Sequence, residues 1–425
     1  MSLQFIADFD SQGGQTSPVL VTQWVTPTLV LTGHLDGYLR AWDAANGRLL
    51  AAVAAHGQSL NSLSSNRAGD LVLTGSIDGT VALRSTSKLA AGSSGGDLEP
   101  VASCASLRDH HSTVSPAFAV ALHPYRPIFA STGLGGECSL HSAEASPDGI
   151  FGSHLSTASS NPSSSSSASP TFGLTLRFSP SGSLLALGTT EGHVHLHRLA
   201  FDSSNDLKEE RPILVHVMTI TSHALPIRSL AFSSETDRKG QLHDDLLIVG
   251  GDDAIITAYD VRNAVPVEGK HRPSVASKNP VAVLKGHRGP ISSLCAVPTL
   301  NSNTAGSVIG GGSRLLSSIS TADRTVRIWD LSARPKAAVF VTTVDVGPSG
   351  GLDWRKPPPV TVKNGEEEAA KTAGLGAAFV VSGKDGKVKW YRLAGTGLDA
   401  AEERDAALVA NGEATGDAVG VNGQA

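Results

Sequence analysis

Cysteine is scarce in this chain, at three among 425 residues. That excludes a disulfide-stapled scaffold and fits a reducing, intracellular compartment. Cys104, Cys138 and Cys295 form no C-x-x-C pair, so neither a zinc ribbon nor a redox motif is expected. Charge is also sparse: charged residues make up 17%, and 34 Lys+Arg stand against 39 Asp+Glu. A nucleic-acid binder would show a basic excess, and none is present. No stretch approaches the ~18 uninterrupted apolar residues of a membrane-spanning helix. The opening Met1-Ser2-Leu3-Gln4-Phe5-Ile6 lacks the basic and long apolar regions of a secretory signal. No G-x-x-x-x-G-K-[ST] loop and no G-x-S-x-G elbow occurs, so the common phosphate-binding and serine-hydrolase motifs are missing.

Glycine, by contrast, is abundant. The 45 Gly are about one residue in nine, against a typical ~7%, and 22 Pro accompany them. Turns are therefore favoured over long helices. Hydrophobic residues, at 40%, are enough for a sizeable core. The net charge of −5 is unevenly placed. Residues 396–425 hold Asp399, Glu402, Glu403, Asp405, Glu413 and Asp417 against Arg404, and residues 1–395 are neutral. This acidic tail reads as disordered.

One pattern recurs: a short apolar run, a tight polar turn, then alternating residues of strand type. It is seen in LVLTGHLDGYLRAWD (29–43), LVLTGSIDGTVALRS (71–85), LLIVGGDDAIITAYD (246–260) and LLSSISTADRTVRIWD (315–330). The turn positions are Asp36, Asp78, Gly135, Glu191, Asp253, Asp323 and Asp385, 42 to 70 residues apart. Period-2 alternation around an Asp-Gly turn marks a β-hairpin. A further short strand precedes each hairpin, and several follow a His. Seven units with periodic Gly-His marks and the dipeptides Trp42-Asp43 and Trp329-Asp330 predict an all-β fold, a seven-bladed WD40 β-propeller. The segment LQFIADF (3–9) is predicted to close the ring as the outer strand of blade seven, because the last hairpin has no strand after it.

The propeller is expected over residues 1–395. A low-complexity Ser-rich insert lies at about 156–170, and loop inserts fall at about 85–100, 262–280 and 358–377, besides shorter ones at 142–150, 200–212, 234–245 and 298–313. Apart from the Ser tract, the inserts fall after the third strand or between the first and second, which places them on the bottom face. The Ser tract is then the one long link on the opposite, top face, and the top reads as a docking surface. The basic insert carrying Arg262, Lys270, Arg272 and Lys278 is read as a solvated loop, and direct RNA binding is not expected.

His56 with Asp78, His223 with Asp253 and His287 with Asp323 resemble acid–base dyads. Repetition around a ring argues against a single active site. These residues and Trp329 are expected to form buried structural networks that satisfy one another's hydrogen bonds. His193, His195 and His197 alternate along one strand and share a face. A polar outer face is expected rather than a zinc site, because the spacing of side chains along one strand strains tetrahedral geometry. No catalytic residue, cofactor, metal or small-molecule substrate is expected.

Several segments resemble one WD40 family, the WD-repeat subunit of the superkiller (Ski) complex, which in fungi also serves meiotic recombination. HALPIRSLAFSS (223–234) followed by GGDDAIITAYDV (250–261) is similar to its fifth blade. RFSPSGSLLALGTTEGHVHLH (177–197) is similar to its fourth, DGYLRAWD (36–43) to its first hairpin and KDGKVKWYRLAG (384–395) to its terminal strand. The inserts, the Ser tract, the degenerate third blade and the acidic tail depart from the family pattern. The resemblance implies a non-enzymatic scaffold that binds a TPR-repeat subunit and a DExH-box RNA helicase and assists 3′-to-5′ mRNA decay by the cytoplasmic exosome. It further implies a meiotic topoisomerase-like partner and a cytoplasmic location that extends to the nucleus. The alternative is a WD40 adaptor of another assembly, in transcription elongation, chromatin or kinase stabilisation. Partner-binding residues expected from turns and links are Leu35, Tyr38, Ile77, Leu225, Pro226, Arg228, Asp252 and Pro290. Trp390, Tyr391 and Arg392 are added from the C-terminal resemblance. A core role stands beside theirs: Tyr391 would fill the slot that Trp329 fills in blade six, and Trp390 would cover the neighbouring blade.

Overall fold

A computed structural model describes residues 2–9, 17–92, 98–105, 107–108, 114–115, 117–145, 150–158, 171–202, 211–221, 223–236, 242–262, 264, 279–296, 315–320, 322–331, 338–344, 347, 349–355, 361–363, 366–368 and 378–394. Seven four-stranded antiparallel sheets are arranged in chain order. Their innermost strands are Val19–Thr26, Leu60–Ser65, Ala119–Leu122, Gly173–Phe178, Ile227–Thr236, Ile291–Ala296 and Ser349–Trp354, which open blades 1 to 7. Consecutive innermost strands pack side by side, and that of blade 7 returns to that of blade 1, so the ring closes. The seventh sheet is completed by Ser2–Phe9, which pairs antiparallel with Val388–Ala394. The first and last described strands thus share one blade, as the spare N-terminal segment predicted, and this blade has no missing edge.

Apolar side chains sit between the blades because each sheet is buried on both faces. The second strands carry the most continuous burial: all six residues of Leu29–His34, Leu184–Thr189 and Ala378–Gly383 are buried. A polar seam reinforces the closure. Asp353 of blade 7 accepts the Trp24 amide of blade 1 at 2.8 Å and the Cys295 thiol of blade 6 at 3.0 Å. Burial and the neighbouring Asp353 charge push that thiol well above its ordinary pKa. Thr22 of blade 1 adds a 2.5 Å hydrogen bond to Ser382 of blade 7.

The structure revises several expectations. The link between blades 2 and 3, from Cys104 to Ala119, is also long and contains a two-stranded pair, Leu107–Arg108 with Val114–Ser115. The Ser tract is therefore not the one long top link. At 200–212 and 234–245 the flanking strands themselves lengthen: Val194–Asp202 pairs with Arg211–Ile220, and Ile227–Thr236 pairs with Leu242–Gly251. The 85–100 insert begins with a single helical turn, Thr86–Ala90, which packs on blade 1. The Ser tract at 159–170, most of the basic insert at 265–278 and the tail after 394 lie outside the described residues. Arg262 is described, and it is held by Asp245 at 3.3 Å and by Asp260.

Candidate interaction surface

Beneath the top face each blade needs a polar device that fixes its second-to-third-strand turn. Blade 6 shows it complete. Trp329 Nε1 donates to Ser318 Oγ at 2.8 Å, Ser318 meets His287 Nε2 at 2.7 Å, and His287 Nδ1 meets Asp323 at 2.9 Å. Burial alone would raise the Asp323 pKa. The Arg288 and Thr325 amides, His287 and the Thr325 hydroxyl bring it below the ordinary carboxylate value. In blade 5, His223 Nδ1 meets Asp253 at 2.9 Å and its Nε2 meets Thr257 at 2.8 Å. Blade 2 departs from expectation. His56 does not touch Asp78 directly: it contacts Thr80 Oγ1 at 2.5 Å, and Thr80 donates to Asp78. The β-branched hydroxyl two residues after the acid intervenes. Blade 1 uses His34, which sequence reasoning passed over. Thr32 Oγ1 accepts from Trp42 and contacts His34 at 2.8 Å, while His34 Nδ1 contacts the Ser17 carbonyl at 3.1 Å. The signal was the His that ends Leu29–His34, one residue before the turn. These groups are engaged in holding loops.

The third-strand position of Trp329 is filled around the ring by Trp42, Arg84, His141, His197, Tyr259, Trp329 and Tyr391, all buried. This corrects the assignment of Trp390 and Tyr391 to the surface. Tyr391 is 8% exposed and stacks on Phe379, with ring centroids 5.3 Å apart, in the tryptophan slot of blade 7. Trp390 is 2% exposed and packs edge-on against Trp42 of blade 1 at 6.4 Å. Burying such large apolar surfaces is worth about 2–3 kcal/mol each, and Trp390 ties blade 7 to blade 1. The backbone of Arg392 pairs with Gln4 and Ala378; its side chain lies outside the described residues.

The top surface itself is formed by the turns and the blade links. Glycine is required where they meet. Gly37 has φ +80°, and a Cβ there would lie 2.3 Å from the His56 carbonyl of the next link. The residue before the turn acid is large, apolar and exposed in three consecutive blades: Leu35 at 53%, Ile77 at 54% and Leu134 at 67%. Leu134 was missed because the degenerate glycine turn of blade 3 hid its register. Tyr38 is exposed beside Leu35, with the Arg40 guanidinium 5.1 Å from its ring centroid. Leu225 is 47% exposed on the blade 4-to-5 link, while Pro226 and Pro290 are half-buried. Arg228 and Asp252 form a two-point ion pair with each other, at 2.9–3.0 Å. Arg228 sits where the ladder of blade 5 is bulged, and the same bulge recurs in five other blades. A bulge re-aims the extra side chain.

His195 and His197 are buried rather than on a polar outer face. His195 contacts Thr219 at 3.0 Å, and both ring nitrogens of His197 lack hydrogen-bond partners. Blades 1, 2, 3 and 6 supply a Thr or Ser to this network; blade 4 has Leu187 at the equivalent position of its second strand. Burial, then the nearby His216 and His195, lowers the His197 pKa to about 3. Among the described residues no group of three or more His, Cys, Asp or Glu is placed to hold a metal ion.

These features define a seven-bladed β-propeller with a partly apolar top face. The chain matches the WD domain, G-beta repeat family over residues 47–84 and 278–330, the stretches that carry His56 with Asp78 and His287 with Asp323 and Trp329. Autophagy-related protein 16 of Arabidopsis thaliana is 45% identical over 49 residues, which cover 12% of this chain and 10% of that relative. The match thus spans about a tenth of the relative's length. The crystal structure of the WD40 beta propeller domain of Doa1 superposes with a TM-score of 0.57, covering 92% of this chain and 98% of that one, at 16% identity. That likeness bears on the fold alone.

Proposed function

We propose that this chain is a non-catalytic scaffold that docks partner proteins on its top face, within a superkiller-type complex. The observation that carries the docking surface is the run of exposed Leu35, Ile77 and Leu134 on three adjacent blades. Exposed apolar side chains gathered on one face are a feature of interaction sites, and a closed ring loses little conformational entropy on binding. The superkiller assignment rests on the HALPIRSLAFSS, GGDDAIITAYDV and KDGKVKWYRLAG segments. On this reading the partners are a TPR-repeat subunit and a DExH-box RNA helicase, the process is 3′-to-5′ mRNA decay in the cytoplasm, and a meiotic topoisomerase-like protein is a second, nuclear partner. The likeness to Autophagy-related protein 16 favours a second reading, a WD40 adaptor of another assembly.

Affinity purification of the tagged full chain, followed by mass spectrometry, separates the two. Recovery of a TPR protein with a DExH helicase supports the superkiller reading; recovery of a different stable set supports the adaptor. The double variant Leu35→Asp/Ile77→Asp is expected to lose at least ~90% of the partners while keeping the wild-type circular dichroism spectrum. Undiminished recovery would reject the top-face assignment.

A further inference from the structure

The top face is chemically ordered around the ring. Arg288 and Arg324 of blade 6 and Lys384 of blade 7 are exposed, and Lys387 of blade 7 is half-buried. No ion pair involves these four side chains among the described residues. The acids beside them are already engaged. Asp323 takes His287, Thr325 and the Arg288 amide, and Asp385 takes the Gly347 and Lys387 amides. A net positive arc over blades 6 and 7 therefore runs directly into the apolar arc of Leu35, Ile77 and Leu134 on blades 1 to 3.

The backbone gives an independent sign. The left-handed turn position is glycine in five blades: Gly37, Gly79, Gly136, Gly192 and Gly386, with φ from +64° to +83°. In blade 5 it is Ala254, at φ +63°, and in blade 6 Arg324, at φ +52°. A β-carbon in this region is disfavoured relative to glycine. The fold gains nothing visible in return, because the Arg324 side chain is exposed and makes no ion pair. Ala254 shows that this turn accepts a β-carbon with nothing beyond it, so what is particular to blade 6 is a long cationic side chain held out to solvent.

We infer that the top face binds a segment of a partner protein in which a cluster of acidic residues lies next to bulky aliphatic ones, the acids over blades 6 and 7 and the aliphatic groups over blades 1 to 3. This rests on the scaffold reading and specifies its partner's chemistry. Single-stranded RNA is the less favoured occupant. Its bases stack on aromatic platforms, and the apolar arc here is aliphatic apart from Tyr38.

The full chain, with p-benzoylphenylalanine replacing Ile77 in one preparation and Lys384 in another, is photocrosslinked in the cells that make it, and the attached peptides are sequenced. The expected result is one partner, crosslinked at both positions, with an acid-rich segment at 384 and an aliphatic segment within ~20 residues of it at 77, a span that ~3.3 Å per residue allows. Arg324→Gly is expected to raise Tm while lowering recovery of that partner at least tenfold. Arg288→Glu/Lys384→Glu is expected to lower recovery equally. Crosslinked segments without acidic excess, crosslinks to the chain's own residues 396–425, or an Arg324→Gly variant with full recovery would overturn the inference. So would binding of a labelled 20-nucleotide oligouridine that Lys384→Glu abolishes. If partners co-purify but the crosslinked segments are basic, the scaffold reading stands and the chemistry fails. If nothing co-purifies with the wild-type chain, both fail.

Discussion

At the scale of single residues, the molecule shows how a repeat decays without losing its frame. The tryptophan slot tolerates Trp, Tyr, His and Arg, provided the group is large and its polar atoms find partners. His141 does so through Ser131 at 3.0 Å and the Gly152 carbonyl at 3.3 Å, and Arg84 through the Leu98 carbonyl at 2.6 Å. Two are exceptions: Arg84 Nε lacks a partner, and His197 lacks one at both ring nitrogens. His197 is fully buried, and Leu187 stands where blades 1, 2, 3 and 6 supply a hydroxyl. An unpaired buried polar group costs about 1–3 kcal/mol. His197→Leu is therefore expected to raise Tm by a few degrees, as read by calorimetry; a fall of Tm would show that the imidazole has a stabilising role in place. The dyad pattern was legible in sequence at His223–Asp253 and His287–Asp323, where acid and imidazole meet directly. It misled at His56, whose Nδ1 meets Thr80 and whose Nε2 meets Thr74, while Asp78 accepts from Thr80 and the Gly57 amide. It missed His34 because there the imidazole comes from the second strand.

At the scale of strands, the hairpins were readable because their turns are short and their alternation strict. All seven appear with boundaries within a few residues of the sequence expectation. The outer strands were not, since they follow inserts and their pairing is set by the neighbouring third strand rather than by their own composition. Ala102–Cys104, three residues long, carries no periodic signal of its own. The N-terminal strand was found by counting: a ring of seven needs one strand more than the last hairpin supplied. Removing residues 1–12 should leave Val388–Ala394 as an open edge, lower Tm by ten degrees or more and promote concentration-dependent association, measured by light scattering. An unchanged Tm would mean that this pairing contributes little. The surface assignment of Trp390 and Tyr391 failed for a reason of register. The residues that resemblance placed on the surface occupy the third-strand positions whose side chains face the adjacent blades.

At the scale of the whole molecule, the buried imidazoles act together. Burial, the largest influence on each, lowers the pKa of His34, His56, His123, His141 and His195 to about 4 and that of His197 to about 3, against about 6.5 in an unfolded chain. Between these values the unfolded chain binds more protons than the folded one, so stability falls as pH falls. It is fully present above pH ~6.5 and lost progressively toward pH ~4. Thermal unfolding is therefore expected to move down by about 10 °C or more between pH 7 and pH 5. A midpoint independent of pH across that window would show that the imidazoles are solvated. The asymmetry of the top face also belongs to this scale. A list of hydropathies does not reveal it, because Leu35, Ile77 and Leu134 become neighbours only when the ring brings successive turns together.

The pairing of Ser2–Phe9 with Val388–Ala394 also has a temporal meaning. On a ribosome Ser2–Phe9 emerges before the other described strands and must wait for Val388–Ala394, which follows all the other blades. Until then it is an unpaired β-segment on an open arc of blades. Each newly made molecule therefore passes through an interval in which it depends on chaperones or slow synthesis to keep that strand from a foreign edge.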